Sequence, residues 1–114
     1  MTVLLLEEKP TEEQISQMSE EFKDYVKVVV DVEKRIISAG GRLHTDCESL
    51  LLKYGSRQEN LWGGGVGLLA KKIDCTAITN IRPSQENDSM EILDPALRKR
   101  FFEIVKNYFI GYEE

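Results

Sequence analysis

Residues 42–56 read RLHTDCESLLLKYGS, and this stretch decides how the middle of the chain folds. It allows two interpretations. In an extended strand, side chains alternate between faces, so His44, Asp46 and Glu48 would share one face. In a helix, Thr45 would be the N-cap, Glu48 its capping-box partner, and Gly55 the end of the helix. The buried stripe of that helix would consist of Cys47, Leu50, Leu51 and Tyr54. The strand interpretation is the one that brings the three polar side chains together.

The chain before this stretch predicts a strand, a helix and a second strand. Residues 2–6 form a short apolar run that is typical of a buried strand. Thr11 and Gln14 match a capping box, so we expect a helix over residues 12–22. The valine-rich residues 25–32 favour a strand. Together these elements have the length of a βαβ unit.

The chain after the stretch predicts a loop, two strands and a final helix. Residues 57–67, RQENLWGGGVG, are rich in glycine and are expected to form a loop. We expect a strand over residues 72–81 and a short edge strand over residues 90–92. Asp94 and Pro95 supply an N-cap and a proline at the first helical position, so the last helix begins there. The sequence thus predicts an α+β fold, with a mixed sheet of four or five strands, an N-terminal helix and a C-terminal helix.

Length, charge and cysteine content limit the class of protein. The 114 residues are 41% hydrophobic and 31% charged, which predicts a single compact domain over residues 1–114. The formal net charge of −5 disfavours nucleic-acid binding, because the phosphate backbone is negative too. The apolar run at residues 3–6 is too short to cross a membrane. Cys47 and Cys75 match neither a disulfide framework nor a zinc motif, so we expect reduced thiols in a cytoplasmic protein.

The first candidate site is catalytic and consists of His44, Asp46 and Glu48. A histidine beside carboxylates can act as a general base while one carboxylate orients the ring. Such a group could also bind a divalent metal ion, but metal sites usually have three or four protein ligands and the chain has a single histidine. We therefore assign no metal ligand. The competing interpretation is a solvated polar strip on a half-buried strand.

The second candidate site would bind a ligand through Asn80 and Arg82, joined by Trp62 and Asn87. Asn80 and Arg82 lie two residues apart at the end of a predicted strand, so their side chains would point the same way. The guanidinium group is well suited to bind a carboxylate or a phosphate. The competing interpretation is that Arg82 pairs with an acidic neighbour and Asn80 closes a turn. The glycines after Trp62 complete neither phosphate-loop motif, which favours a turn there.

The motifs between residues 26 and 108 resemble those of a known family. They include HTDCESLLLKYGSRQENLWG at residues 44–63 and ITNIRPSQENDSMEILDP at residues 78–95, followed by a closing helix. This pattern is similar to that of the small bacterial family known as domain of unknown function 5674. The resemblance implies a compact cytosolic protein of one domain and no particular activity.

Two functions are compatible with these candidate sites. We expect first a non-enzymatic binding or regulatory module, acting as a homodimer, that recognises a small anionic ligand or a protein partner. Phe102 and Phe109 motivate the dimer, because they fall outside the main apolar stripe of the last helix. The alternative is a small acid/base or metal-assisted hydrolase-like enzyme that uses His44 with Asp46 and Glu48. No motif identifies a cofactor.

Overall fold

The computed structural model describes residues 2–114, which form one five-stranded sheet with helices on its two faces. The elements are β1 (Val3–Leu6), α1 (Glu12–Met18), β2 (Tyr25–Asp31), β3 (Ile36–Gly40), α2 (His44–Lys53), β4 (Leu61–Gly67), β5 (Lys72–Asp74) and α3 (Pro95–Tyr108). Short 3₁₀ turns occupy Gln58–Asn60, Ile78–Asn80 and Pro83–Gln85. Within residues 2–114, no helix has the length and apolar character needed to cross a membrane.

The predicted α+β class, with five strands and helices at the N-terminal region and the C-terminus, is confirmed. The strands lie in the order β1-β3-β2-β4-β5, and each neighbouring pair is antiparallel, whereas we expected a mixed sheet. Strands β1 and β2 do run in the same direction, as in the expected βαβ unit. However, β3 folds back from β2 and inserts between them, which replaces the parallel pair with two antiparallel pairs.

Residues 44–53 form helix α2, so the strand interpretation of this stretch is wrong. The carboxylate of Asp46 accepts hydrogen bonds from the backbone N–H groups of Arg42 and Leu43, at 3.3 and 3.0 Å, and satisfies donors at the start of the helix. Cys47 and Leu51, four residues apart, are both fully buried. Gly55 follows the helix with φ of +94° and ends it, as the helical interpretation predicts. The helix begins one residue before Thr45, with Leu43 in the N-cap position.

The glycine-rich residues 61–67 form the interior strand β4, between β2 and β5, and the expectation of a loop there is wrong. This strand pairs with β2 along its whole length, from Leu61 opposite Asp31 to Gly67 opposite Tyr25. Gly64 is a glycine because a Cβ at this position would lie 2.1 Å from the carbonyl oxygen of Asp74. The glycines thus allow close packing of neighbouring chain segments in a buried strand.

Two further elements are shorter than expected. Helix α1 has the predicted Thr11–Gln14 capping box but ends at Met18, where the hydroxyl of Ser19 donates a 2.9 Å hydrogen bond to the carbonyl of Ile15. Strand β5 ends at Asp74, because the following residues turn away from the sheet into a 3₁₀ turn. The expected edge strand at residues 90–92 is a single bridge between Glu91 and Thr76.

Two hydrophobic cores lie on opposite faces of the sheet. The larger core contains residues of α3 and α1 together with the even-numbered β2 residues, such as Val28. The smaller core lies beneath α2, where Cys47 and Leu51 pack with Val29 and Leu61. Because side chains alternate along a strand, Tyr25 and Lys27 of β2 share the α2 side with Val29.

Phe102 and Phe109 are part of the larger core, with 4% and 2% of their surface exposed. The expectation that they form an apolar edge on the surface is therefore wrong. Phe102 packs edge-on against Phe101 and beside the guanidinium of Arg98, and Phe109 packs against Tyr112. Self-association stays a prediction, without support from these two residues.

Candidate functional site

The candidate site is an open cleft of about 370 Å³ on the α2 side of the sheet. Strand β2 contributes Tyr25 and Lys27, and the first turn of α2 contributes His44. The opposite wall is the segment that follows β5, including Ile78 and Thr79. A cavity of this size lies at the lower end of the range usual for small-molecule sites.

Gly63 of β4 allows the walls of the cleft to converge. A Cβ at this position would lie 2.8 Å from the Cβ of Ala77, 3.1 Å from Cδ2 of His44 and 3.2 Å from Oγ1 of Thr79. All three neighbours line the cleft. A side chain at residue 63 would therefore push α2 and the segment after β5 apart.

His44 is oriented by the backbone of β4. Its Nε2 atom lies 2.7 Å from the carbonyl oxygen of Gly64. A carbonyl oxygen can only accept, so Nε2 carries the hydrogen and donates. Burial lowers the pKa of His44, the hydrogen bond to Gly64 opposes this shift, and the nearby ammonium group of Lys27 reinforces it. The ring is therefore neutral at neutral pH, with its lone pair on Nδ1.

We predict that His44 titrates with a midpoint below the ordinary value of 6.5. The shift can be measured by following the ring protons with pH in an NMR experiment, where the single histidine of the chain makes assignment direct. Since folding favours the neutral ring, this stabilising contribution is present above pH 6.5 and is lost as pH falls through the folded-state pKa. A midpoint at or above 6.5 would contradict the burial of the ring.

Lys27 brings an unpaired positive charge to the cleft. Its ammonium group lies 5.3 Å from the ring centre of Phe22 and 5.9 Å from that of Tyr25. It makes no ion pair among residues 2–114. The carboxylate of Asp74, on strand β5, is already engaged by the Tyr25 hydroxyl, which donates to it at 2.9 Å, and by the N–H of Thr76 at 3.0 Å.

Two other polar groups complete the description of the cleft. The hydroxyl of Thr79 is buried and has no hydrogen-bond partner in the described part of the chain. The hydroxyl of Tyr25 stays protonated, because burial and the carboxylate of Asp74 raise its pKa. Tyr25 therefore acts as a neutral donor to Asp74 and contributes mainly an aromatic surface to the cleft.

The structure does not place the three residues of the predicted catalytic site on one common face. Asp46 is occupied at the start of α2, as described above. Glu48 accepts a 2.6 Å hydrogen bond from the side-chain amide of Gln58 and lies 3.5 Å from the guanidinium of Arg82. The common face expected for all three residues does not exist, because Asp46 lies two residues from both others and points in a different direction. His44 and Glu48 are four residues apart on the same side of α2, and the charge of Glu48 acts on the ring, but its carboxylate is engaged by Gln58 and Arg82.

Asn80 and Asn87 bind the main chain with every polar atom of their side chains. Asn80 accepts from the N–H of Gly63 at 2.8 Å. It donates to the carbonyl oxygens of Gly63, Cys75 and Met90 at 2.9 to 3.1 Å. Asn87 accepts from the N–H of Leu93 and donates to three carbonyl oxygens, including that of Asn80. The hydrogen bonds of these two side-chain amides hold residues 75–93 in place against the edge of β4.

Arg82 and Trp62 contribute to the same set of contacts between residues 75–93 and β4. The guanidinium lies 4.6 Å from the ring centre of Trp62, and it donates to the carbonyl oxygens of Thr79, Gln58 and Leu61. The competing interpretation of the sequence, in which Arg82 pairs with an acid, is confirmed by its ion pair with Glu48. Trp62 itself is 3% exposed. The four residues predicted to bind a ligand are thus brought together, but the polar side-chain atoms of Asn80, Arg82 and Asn87 are engaged within the protein.

Apart from His44, the residues that line the cleft were not singled out from the sequence, although one signal was present. Lys27 interrupts the valine-rich strand YVKVVVDV at a position facing the same side as Val29. A lysine inside an otherwise apolar strand indicates that one face of the sheet is open near it. Ile78 and Thr79 gave no comparable signal.

The remaining candidate groups are the two thiols and the side chains that could bind a metal ion. Burial raises the pKa of Cys47 to about 12 and also raises that of Cys75, so both thiols stay protonated at neutral pH. Among residues 2–114, no three histidine, cysteine, aspartate or glutamate side chains converge to hold a metal ion.

The fold and the cleft together define a small antiparallel α+β domain with a ligand-sized opening beside the glycine-rich interior strand β4. The chain belongs to the family of proteins of unknown function DUF5674, whose family model matches residues 4–108. The predicted family resemblance is thereby confirmed. Comparison with curated proteins and with solved structures found no match.

Proposed function

We propose that the protein is a non-enzymatic binding module whose cleft holds a small ligand with an apolar body and an anionic group. The observation that carries this proposal is the unpaired ammonium group of Lys27 in a mainly apolar cleft. The proposal keeps the small anionic ligand that the sequence predicts. Its binding residues change from Asn80 and Arg82 to Lys27 and His44, because the former are engaged in the fold.

The charge of Lys27 argues for an anion. Acidic residues outnumber basic ones in this chain, 20 to 15, so most positive groups have a potential partner within the protein. Among the described residues, Lys27 nevertheless makes no ion pair and contacts the aromatic rings of Phe22 and Tyr25. A partly buried ammonium attracts an anion more strongly than an exposed one, since the surrounding protein has a lower dielectric constant than water.

The rim of the cleft argues for an apolar ligand body. Leu43, Ile78 and Met90 line the cleft and are 61%, 74% and 45% exposed, respectively. Large apolar side chains that surround a cleft with few polar groups are typical of a binding site. A ligand that covered these three residues would remove apolar surface from water and gain affinity from it.

The proposal includes the expectation of a homodimer in a bacterial cytoplasm. The two buried cysteines are unpaired, which is compatible with a reducing compartment. The exposed rim of Leu43, Ile78 and Met90 is one surface that a second copy could cover. Light scattering that gave the mass of a single chain at all concentrations would contradict the dimer.

The test uses two fluorescent probes that differ in charge. Anilinonaphthalene sulfonate is apolar and anionic, and N-phenylnaphthylamine is its uncharged counterpart. We expect the sulfonate to bind in the cleft, and Lys27→Met to weaken its binding by about 10- to 100-fold, because a charge-assisted hydrogen bond contributes about 1.5–3 kcal/mol. Binding of the uncharged probe should change little.

Lys53→Met is the matched control, since Lys53 is an exposed lysine at the other end of α2. The control should bind both probes like the unmodified protein. Sulfonate binding that is indifferent to Lys27, or that falls equally in the two variants, would overturn the proposed function.

A second candidate function is an acid/base enzyme with His44 as its general base. The observation that favours it is the fixed, neutral imidazole with a free lone pair on Nδ1. Asp46 and Glu48, which the sequence suggested as partners, would take no part. Hydrolysis of a small ester that His44→Gln abolishes, while the variant still binds anilinonaphthalene sulfonate, would favour the enzyme.

A further inference from the structure

We propose that the ligand carries a hydrogen-bond donor next to its anionic group, and that this donor binds Nδ1 of His44 while the anion binds Lys27. This inference rests on the proposed function. It narrows the ligand class to carboxylic acids with an apolar side chain and a neighbouring hydroxyl or amide N–H, such as hydroxy acids and N-acyl amino acids.

The orientation of His44 leads to this inference. The carbonyl oxygen of Gly64 requires a hydrogen on Nε2, so a neutral ring has an unprotonated Nδ1. The ring cannot easily turn to reverse these roles, because it packs beside the backbone of Gly63. Nδ1 of His44 is therefore a hydrogen-bond acceptor of fixed orientation and cannot act as a donor.

No group among residues 2–114 donates a hydrogen bond to that acceptor. Within residues 2–114, the hydrogen bonds of His44 side-chain atoms consist of the one between Nε2 and Gly64. Lys27 lies near enough to influence the ring electrostatically but does not donate to it. A ligand that covered Nδ1 without donating to it would leave a desolvated acceptor without a partner, which is costly.

The position of the donor relative to the anion follows from the lining. Lys27 lies on β2 and His44 on the first turn of α2, and both face the same cleft of about 370 Å³. The ammonium charge of Lys27 acts on the ring of His44, so the two groups lie near each other, and a ligand that binds both needs its anion and its donor only a few bonds apart. A hydroxyl or amide nitrogen on the carbon beside a carboxylate meets this condition.

The experiment compares three acids with the same phenyl group: phenyllactate, its O-methyl ether and phenylpropanoate. We expect phenyllactate to displace anilinonaphthalene sulfonate at least about 10-fold more effectively than the other two, because a site built around a hydrogen bond rejects analogues that cannot make it. In long-range proton–nitrogen NMR spectra, phenyllactate should shift the Nδ1 resonance of His44 and the ether should not.

His44→Phe should remove the preference among the three acids, and the spectra of the unmodified protein provide a readout that needs no variant. Equal displacement by the three acids, or failure of all three to displace the probe, would overturn the inference. The proposed function would still stand in those cases if sulfonate binding depended on Lys27. Loss of that dependence would contradict both.

Discussion

Replacing Asn80 by alanine is expected to lower the free energy of unfolding by about 3–5 kcal/mol, because each buried backbone group left without a partner costs about 1–3 kcal/mol and water can reach some of them. The side chain of Asn80 is fully buried and bonds to the backbone of Gly63, Cys75 and Met90. The midpoint of thermal unfolding should fall by roughly 10–20 °C for a domain of this size. Thermal and urea unfolding monitored by circular dichroism measure both quantities.

Two variants give this prediction its control. Asn107→Ala removes an exposed asparagine from α3 and should change the stability little. Asn80→Asp keeps an acceptor for the N–H of Gly63 but places a carboxylate beside three carbonyl oxygens, so it should be as destabilising as alanine. An Asn80→Ala protein as stable as Asn107→Ala would show that residues 75–93 do not depend on this amide.

Replacing Gly64 by alanine is expected to destabilise the fold by about 3 kcal/mol or more, since overpacking against backbone forces the neighbouring chain to move. The new Cβ would lie 2.1 Å from the carbonyl oxygen of Asp74 and 2.6 Å from Cζ of Phe101. Strand β5 would have to move away from β4, and the aromatic ring away from the core. Chemical unfolding of the purified variant measures the loss.

Gly67→Ala is the matched control, because it adds the same methyl group to the same strand. Its nearest neighbour would be the carbonyl oxygen of Lys72 at 3.8 Å, an ordinary contact. We expect Gly67→Ala to be close to neutral. If the two substitutions destabilised the protein equally, the cost would come from the alanine side chain itself and not from the contact with β5.

The candidate site could be predicted in part from the sequence. His44 is the single histidine and was a candidate, and it does lie in a cleft. Asp46 and Glu48 were placed beside His44 by the period of a strand, but the segment is a helix, and both carboxylates bind other groups of the protein. Arg82 and Asn80 were correctly expected to lie close to Trp62 and Asn87. Which polar atoms remain free for a ligand depends on backbone groups far away in the chain, such as those of Leu61 and Gly63.

The sequence by itself determined the class of the fold, the family and the beginnings of helices α1 and α3. Those beginnings depend on residues close in the chain: Thr11 with Gln14, and Asp94 with Ala96. Local hydrogen bonds of this kind are visible in a short sequence pattern.

Only the tertiary structure decided that residues 44–53 are helical, that residues 61–67 are a strand, and that a cleft opens beside them. Glycine has a low intrinsic preference for strands, but β4 gains a ladder of hydrogen bonds with β2 along seven residues and packing that a larger side chain would prevent. These contacts join segments some thirty residues apart. The free energy gained from these contacts outweighs the intrinsic conformational preferences of the residues. A local sequence pattern cannot predict it, because the contacting residues are far apart in the chain.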